Sequence, residues 1–227
     1  MSIRVKLYTA IVVVVAGLAL TAGVGISAMS RLGDRFDAVE RASSARALAL
    51  QLKFDVTDFN GWQTAYGYDD GKSRPRYVAS FARFQRNLAK ARAQLGMERE
   101  QGILDRVERT TDAFAKLDDE SWAALRAGRP GEVKRILLGP ELVNFERAAA
   151  AAQALAAFET AQVAAEDKSF EDARSNALRL LILCSIVAAL LVFILLVTAS
   201  DLVRRAEGKL DDPETPDAAP DGPERSD

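Results

Sequence analysis

The densest group of chemically able side chains lies in "DFNGWQTAYGYDDGKSRPRY", from Asp58 to Tyr77. It holds an indole at Trp62, amides at Asn60 and Gln63, carboxylates at Asp58 and Asp69, a phenol at Tyr66, then Arg74 and Arg76. On a helix, residues three or four apart share a face. Asp55, Asp58, Trp62, Ala65 and Asp69 therefore form one stripe, and Val56, Phe59, Gln63 and Tyr66 the stripe beside it. Carboxylates next to an indole hold a cation by charge and cation–π contact. Gln63 is the polar exception on an apolar stripe, and a buried amide needs partners from a ligand, a water or another side chain. Arg74, Arg76 and Arg83 would instead suit an anion. The competing reading is structural. An antiparallel second helix would bring Arg74, Arg76, Arg83 and Arg86 beside the acids, pair them, and leave Trp62 packed at the end of a bundle. Asp58, Asn60, Trp62, Gln63, Tyr66, Asp69, Arg74 and Arg76 are the ligand-binding candidates.

Catalysis finds little to work with elsewhere. The 227 residues include one Cys and no His. That excludes His-based acid–base relays, Cys-His and Ser-His-Asp nucleophiles, His-based metal sites and internal disulfides. No G-x-x-x-x-G-K-S/T loop, Cys-x-x-Cys pair or nucleophile elbow occurs. Adjacent acids at Asp69-Asp70, Asp118-Asp119 and Glu171-Asp172 diverge by about 100° on a helix and read as solvated faces. No catalytic residue, metal or cofactor is expected, and the chain reads as a non-enzyme. The net charge is −2 and bases are interspersed with acids, so nucleic acid is not an expected partner.

Two long apolar runs must position this segment. Leu7 to Met29 and Leu180 to Ala199 are each long enough, at about 1.5 Å per residue, to cross a hydrocarbon core of roughly 30 Å. A cleavable signal peptide is the rival reading of the first, although its apolar region would be shorter. Arg4 and Lys6 precede the first run, and Arg204, Arg205 and Lys209 follow the second, which places both termini in the cytoplasm. Arg31, Arg35 and Arg179 count against this from the other side. Gly17, Thr21 and Gly25 form a small-residue stripe along the first span, of the kind that lets a second helix approach closely. That stripe is the candidate membrane dimer face. Cys184 in the second span reads as a small apolar filler.

Between the spans the pattern is helical. Ala45, Leu48, Leu52, Val56, Phe59, Gln63 and Tyr66 step by three and four, and "GYDDGKSRPR" stops that helix. Tyr77, Phe81, Phe84, Leu88, Ala91 and Leu95 form a heptad seam, closed by Gly96. Ile103, Val107, Thr110, Phe114, Leu117, Ser121 and Ala124 mark a third helix, ended by "AGRPGE". After the short run "VKRILL", Pro140 suits the start of a fourth, which carries Phe145, Ala149, Ala152, Ala156 and Val163. The alanine-rich "RAAAAAQALAAF" reads as a close-packed interface. The expected fold is all-α, with two transmembrane helices flanking an extracytoplasmic antiparallel four-helix bundle. The expected divisions are 1–6 cytoplasmic, 7–29 spanning, 30–177 bundle, 178–199 spanning, and 200–227 a disordered acidic tail.

The two spans, the heptad stripes, "NGWQTAYGYD" (60–69) and "RILLGPELVNFERA" (135–148) resemble the extracytoplasmic four-helix-bundle sensor of bacterial methyl-accepting chemotaxis receptors. The resemblance covers roughly residues 1–205. It implies a multi-pass protein of the plasma (inner) membrane that senses an extracytoplasmic small molecule or protein and relays a helix shift. A homodimer is expected, with a chemoreceptor or kinase partner in the membrane. The HAMP linker and the cytoplasmic methylation and signalling coil of those receptors are missing after residue 205. The alternative is a structural scaffold, or a decoy that dimerises with full-length receptors.

Overall fold

The computed structural model describes residues 3–210. Helix α1 spans Ile3–Tyr68, α2 Arg74–Gln94, α3 Glu98–Arg126, α4 Pro130–Ile136 and α5 Leu142–Leu210. The described residues are helical apart from short connections, and none is in a strand. Two helices, α1 and α5, contain segments long and apolar enough to cross a membrane. The chain divides into two compact units. One is Arg31–Arg174, and the other joins the segment before it to the segment after it.

In the Arg31–Arg174 unit, α1, α2, α3 and α5 share one core. Its centre is Phe59, whose ring lies 5.2, 5.3 and 5.2 Å from those of Phe81, Phe84 and Phe114. Leu52, Val56, Leu88, Leu104, Val107 and Leu155 fill the space around it. The alanine-rich stretch buries Ala148, Ala151, Ala152 and Ala156, letting α5 approach its neighbours closely. The expected seams of α1 and α2 are the ones buried. On α3 the seam is shifted. Leu104, Val107, Thr111, Phe114, Asp118 and Ser121 are buried, while Ile103, Thr110 and Leu117 are half-buried. At 117–118 the expected stripe follows the apolar neighbour, Leu117, and the helix instead turns Asp118 inward; at 110–111 the two neighbours are both threonine and Thr111 is the buried one.

The connections follow their residues. Asp70 and Gly71 take left-handed backbone (φ 55° and 86°), and Pro75 sits in the first turn of α2. Glu100 accepts a hydrogen bond from the Met97 backbone N–H at 2.7 Å and caps α3. Between α4 and α5 the turn Leu137–Glu141 is widened and kinked at Gly139 (φ −112°, ψ −108°). Pro140 brings no N–H to that turn, so the helical hydrogen-bond ladder cannot pass through it.

In the second unit, Val14, Gly17, Thr21, Val24 and Ala28 are half-buried on α1, as are Cys184, Ala188, Leu191 and Leu195 on α5. Both sets repeat by threes and fours, the spacing of a heptad seam. Helix α5 continues to Leu210, through the first part of the segment expected to be unstructured. The remainder of that tail, 211–227, lies outside the described residues.

Candidate functional site

At the α1–α2 turn the sequence candidates separate into three groups. The central one is buried. The Tyr66 hydroxyl donates to Asp118 Oδ1. Arg74 Nη1 donates to Asp118 Oδ2 at 2.5 Å. The Arg74 guanidinium lies 4.9, 4.7 and 5.1 Å from the ring centres of Tyr66, Tyr77 and Trp122. An arginine from α2 is therefore enclosed by aromatics from α1, α2 and α3 and neutralised by a carboxylate from α3. Cation–π attraction is strongest in such desolvated settings.

Asp118 corrects the reading of Asp118-Asp119 as a solvated pair. Asp118 is 1 % exposed, whereas the Asp119 side chain is 83 % exposed. Burial pushes the Asp118 carboxyl up, against the hydrogen bonds of Tyr66 and Arg74. Burial works against the Arg74 charge too, but the hydrogen bond and charge of Asp118 outweigh it and raise its pKa. Burial, reinforced by the Asp118 charge, drives the Tyr66 and Tyr77 phenols far upward, so both stay protonated donors.

Gln63 and Glu141 extend this centre. A Cβ on Gly67 would come within 2.7 Å of Leu137 Cδ1, so the last turn of α1 rests on the kinked turn. One helical turn back from Gly67 lies Gln63, and one turn on from Leu137 lies Glu141. Both are buried, at 2 % and 1 % exposure. Gln63 Nε2, both Glu141 carboxylate oxygens and the hydroxyl of buried Ser121 have no hydrogen-bond partner within the protein. Glu141 is pushed up to about 8 by burial, then by the Asp118 charge, with Arg74 opposing. This centre joins residues from α1, α2 and α3 with the kinked turn that leads into α5.

The second group is a surface pair. Trp62 is half-buried against the core, and the Arg76 guanidinium sits 4.6 Å from its ring centre. Asp69 closes the turn, accepting from the Ser73 hydroxyl at 2.6 Å and its N–H at 3.2 Å. The Ser73 hydroxyl is the main cause of its lowered pKa. The third group is an ion-pair ladder. Arg83 bonds Asp55 at 2.9 Å and Asp58 at 2.7 Å, and Asn87 bonds Asp55 at 2.6 Å. Asn60 stands apart, its carbonyl taking the Thr64 hydroxyl at 2.9 Å.

The eight candidates are thus not one constellation. Tyr66 and Arg74 meet at Asp118, Gln63 is buried one turn back on α1 with its amide nitrogen unpartnered, and Trp62 with Arg76, Asp58 with Arg83, and Asp69 with Ser73 form separate pairs. The sequence reading placed Ser121 on the third-helix stripe, where it is buried, but gave no role to Asp118, Trp122 or Glu141. Asp118 was findable, because it continues the step from Val107 through Thr111 and Phe114. Glu141 depends on the kink geometry, which no periodicity announces.

In the other unit, a Cβ on Gly17 would meet Leu191 Cδ1 at 2.9 Å, and one on Gly25 would meet Leu181 Cδ2 at 3.9 Å. The Thr21 hydroxyl bonds the Gly17 carbonyl at 2.9 Å. The small-residue stripe therefore faces the second apolar segment of its own chain. No family model, curated protein or solved structure matches this chain.

Proposed function

We propose that this chain is a membrane-anchored sensory module, related in design to the chemotaxis-receptor sensors it resembles. In this reading Arg31–Arg174 is an antiparallel four-helix bundle outside the plasma (inner) membrane, both termini are cytoplasmic, and a small polar solute binds among Gln63, Ser121 and Glu141. The observation that carries it is Glu141. A carboxyl with two buried, unpartnered oxygens stands where the helix leading to the second apolar segment begins, beside a kink. Isolated buried polar groups cost roughly 1–3 kcal/mol each, so a structure keeps them where something else uses them. A solute with an N–H or cationic group against Glu141 and an acceptor against Gln63 would relieve that cost. Displacement of the start of α5 would then pass along it to a chemoreceptor or kinase partner.

The test uses the full chain in lipid nanodiscs, with amino acids, organic acids and alkylammonium ions as probes in a thermal-shift screen. A probe that raises Tm by several degrees in the native chain is expected to lose that effect in Gln63→Ala and Glu141→Gln. A rise that survives both substitutions overturns the site. No rise with any probe favours the second reading, a scaffold or receptor decoy. One observation supports that reading: Asp58, Asp69, Arg74 and Arg76 are already engaged by Arg83, Ser73, Asp118 and Trp62.

A further inference from the structure

The ionisable groups of the buried centre are Tyr66 on α1, Arg74 and Tyr77 on α2, Asp118 on α3 and Glu141 at the kink. Both phenols stay protonated, which leaves one base and two acids. Arg74 is committed to Asp118 and held by three rings, and its Nη2 lies 3.8 Å from Asp119. Glu141 feels the charges of Asp118 and Arg74 but has a hydrogen bond from neither. The other bases around the kink are turned to water or paired. Lys72, Arg126, Lys134, Arg135 and Arg147 are exposed, and Arg129 bonds Glu132 at 2.6 Å. The neighbouring acids Asp119, Glu120 and Glu146 are exposed as well. Among the described residues, then, no base is left for Glu141.

An ionised carboxyl without a partner is costly to bury, so Glu141 keeps its proton while the centre holds these groups alone. Arg74 and Asp118 then cancel, and the centre is neutral. A solute has to respect that balance. An anion would add an unpaired negative charge. A cation that left the proton in place would add an unpaired positive one. A neutral solute would make only neutral hydrogen bonds, roughly half as strong as charge-assisted ones. A cation that displaces the proton keeps the sum at zero. The Glu141 O–H bond breaks, the proton leaves to water, and both carboxylate oxygens accept N–H bonds from the ligand. Two free oxygens on one carboxylate match the paired N–H groups of a guanidinium. Gln63 Nε2 would donate to an acceptor further along the same solute. We propose that this centre takes up a guanidinium-bearing solute in exchange for the Glu141 proton. The exchange rests on the sensory reading of the same centre, to which it adds a ligand class and a control by pH.

Calorimetric titration of the full chain in phosphatidylcholine nanodiscs tests it, with guanidinium and methylguanidinium ions as probes and urea as their planar, neutral counterpart. Guanidinium affinity is expected to rise about tenfold from pH 6 to pH 7 and to level off above about 8. Heats in buffers of different ionisation enthalpy are expected to show about one proton released per ion at pH 6 and none at pH 9.5. This count is read on the native chain and needs no variant. Glu141→Gln is expected to remove both effects. Glu159→Gln, roughly 27 Å further along α5, is expected to keep them. Urea is expected to bind more weakly than guanidinium at pH 9 and to release no proton. Guanidinium binding with a flat pH profile and no proton release overturns the exchange but leaves the site. Release that persists in Glu141→Gln overturns the choice of carboxyl. Urea equalling guanidinium at pH 9 overturns the cationic ligand. Failure of both ions to bind at every pH overturns the ligand class. The sensory site itself falls only if the amino acids, organic acids and alkylammonium ions of the thermal screen fail too.

Discussion

Glu159 on α5 and Glu100 on α3 are both buried, at 1 % and 3 % exposure, and close enough to interact. Two carboxyls can share a site comfortably only while one keeps its proton. Burial, then the Glu100 hydrogen bond and charge, raises Glu159 from 4.5 to about 7. The same helices also meet where the Arg99 guanidinium lies 4.8 Å from the Phe158 ring centre. Because the folded pKa is raised, the stabilisation is fully present below pH 4.5 and is lost as pH rises through about 7. The chain should therefore melt at lower temperature at pH 8 than at pH 5. Glu159→Gln should remove part of that slope, at most about 1.4 kcal/mol per pH unit. Melting curves for both proteins between pH 4.5 and 8 check this, and parallel profiles would count against it. Asp118 makes a different prediction at the same scale. Removing it in Asp118→Ala leaves Arg74 charged among three rings, with the exposed Asp119 carboxylate, 3.8 Å away, as its remaining ion-pair partner. Loss of one partner from a buried pair costs about 3–5 kcal/mol, which chemical denaturation of the purified chain would register.

Turns decide how these side chains meet. Gly71 has φ 86°, and a Cβ there would come within 2.7 Å of the Trp122 ring. Gly71→Ala should thus cost roughly 1–2 kcal/mol in backbone strain and also push Trp122 off Arg74. A lowered Tm together with a changed tryptophan emission spectrum is the expected signature; an unchanged spectrum would mean that Trp122 accommodates the methyl group. The break itself was legible from Gly67, Gly71 and Pro75, as were the seams of α1 and α2, because apolar periodicity and helix breakers are local signals. The α3 seam was misplaced by its weighting toward Leu117, since an inward-facing aspartate is intelligible only once Arg74 and Tyr66 are known to meet it. The partner of Arg74 was equally hidden. The reading that acids and arginines pair across α1 and α2 holds for Arg83 with Asp55 and Asp58, but the Arg74 partner came from α3. Charge pairing between helices depends on register, and register is set by packing along the whole seam.

The placement of the whole chain rests on its apolar segments and the charges beside them. Ile182, Phe193 and Leu196 are exposed, at 60 %, 64 % and 61 %. In water an apolar surface that extensive is unfavourable, at roughly 25 cal/mol per Å². In lipid it is the required surface, and each helix satisfies its own backbone hydrogen bonds. Orientation is the open choice. Within ten residues of the apolar segments, Arg4, Lys6, Arg204, Arg205 and Lys209 stand on the outer flanks and Arg31, Arg35, Arg174 and Arg179 on the inner ones, an excess of one. That small excess is in the direction of the proposed orientation, with both ends in the cytoplasm and residues 31–174 on the far side. Green fluorescent protein fused after Asp227 should therefore fluoresce, and alkaline phosphatase inserted after Gly128, in the α3–α4 turn, should be active. The opposite pair of results would put the polar centre in the cytoplasm. The solute proposed at Glu141 would then be a cytoplasmic one.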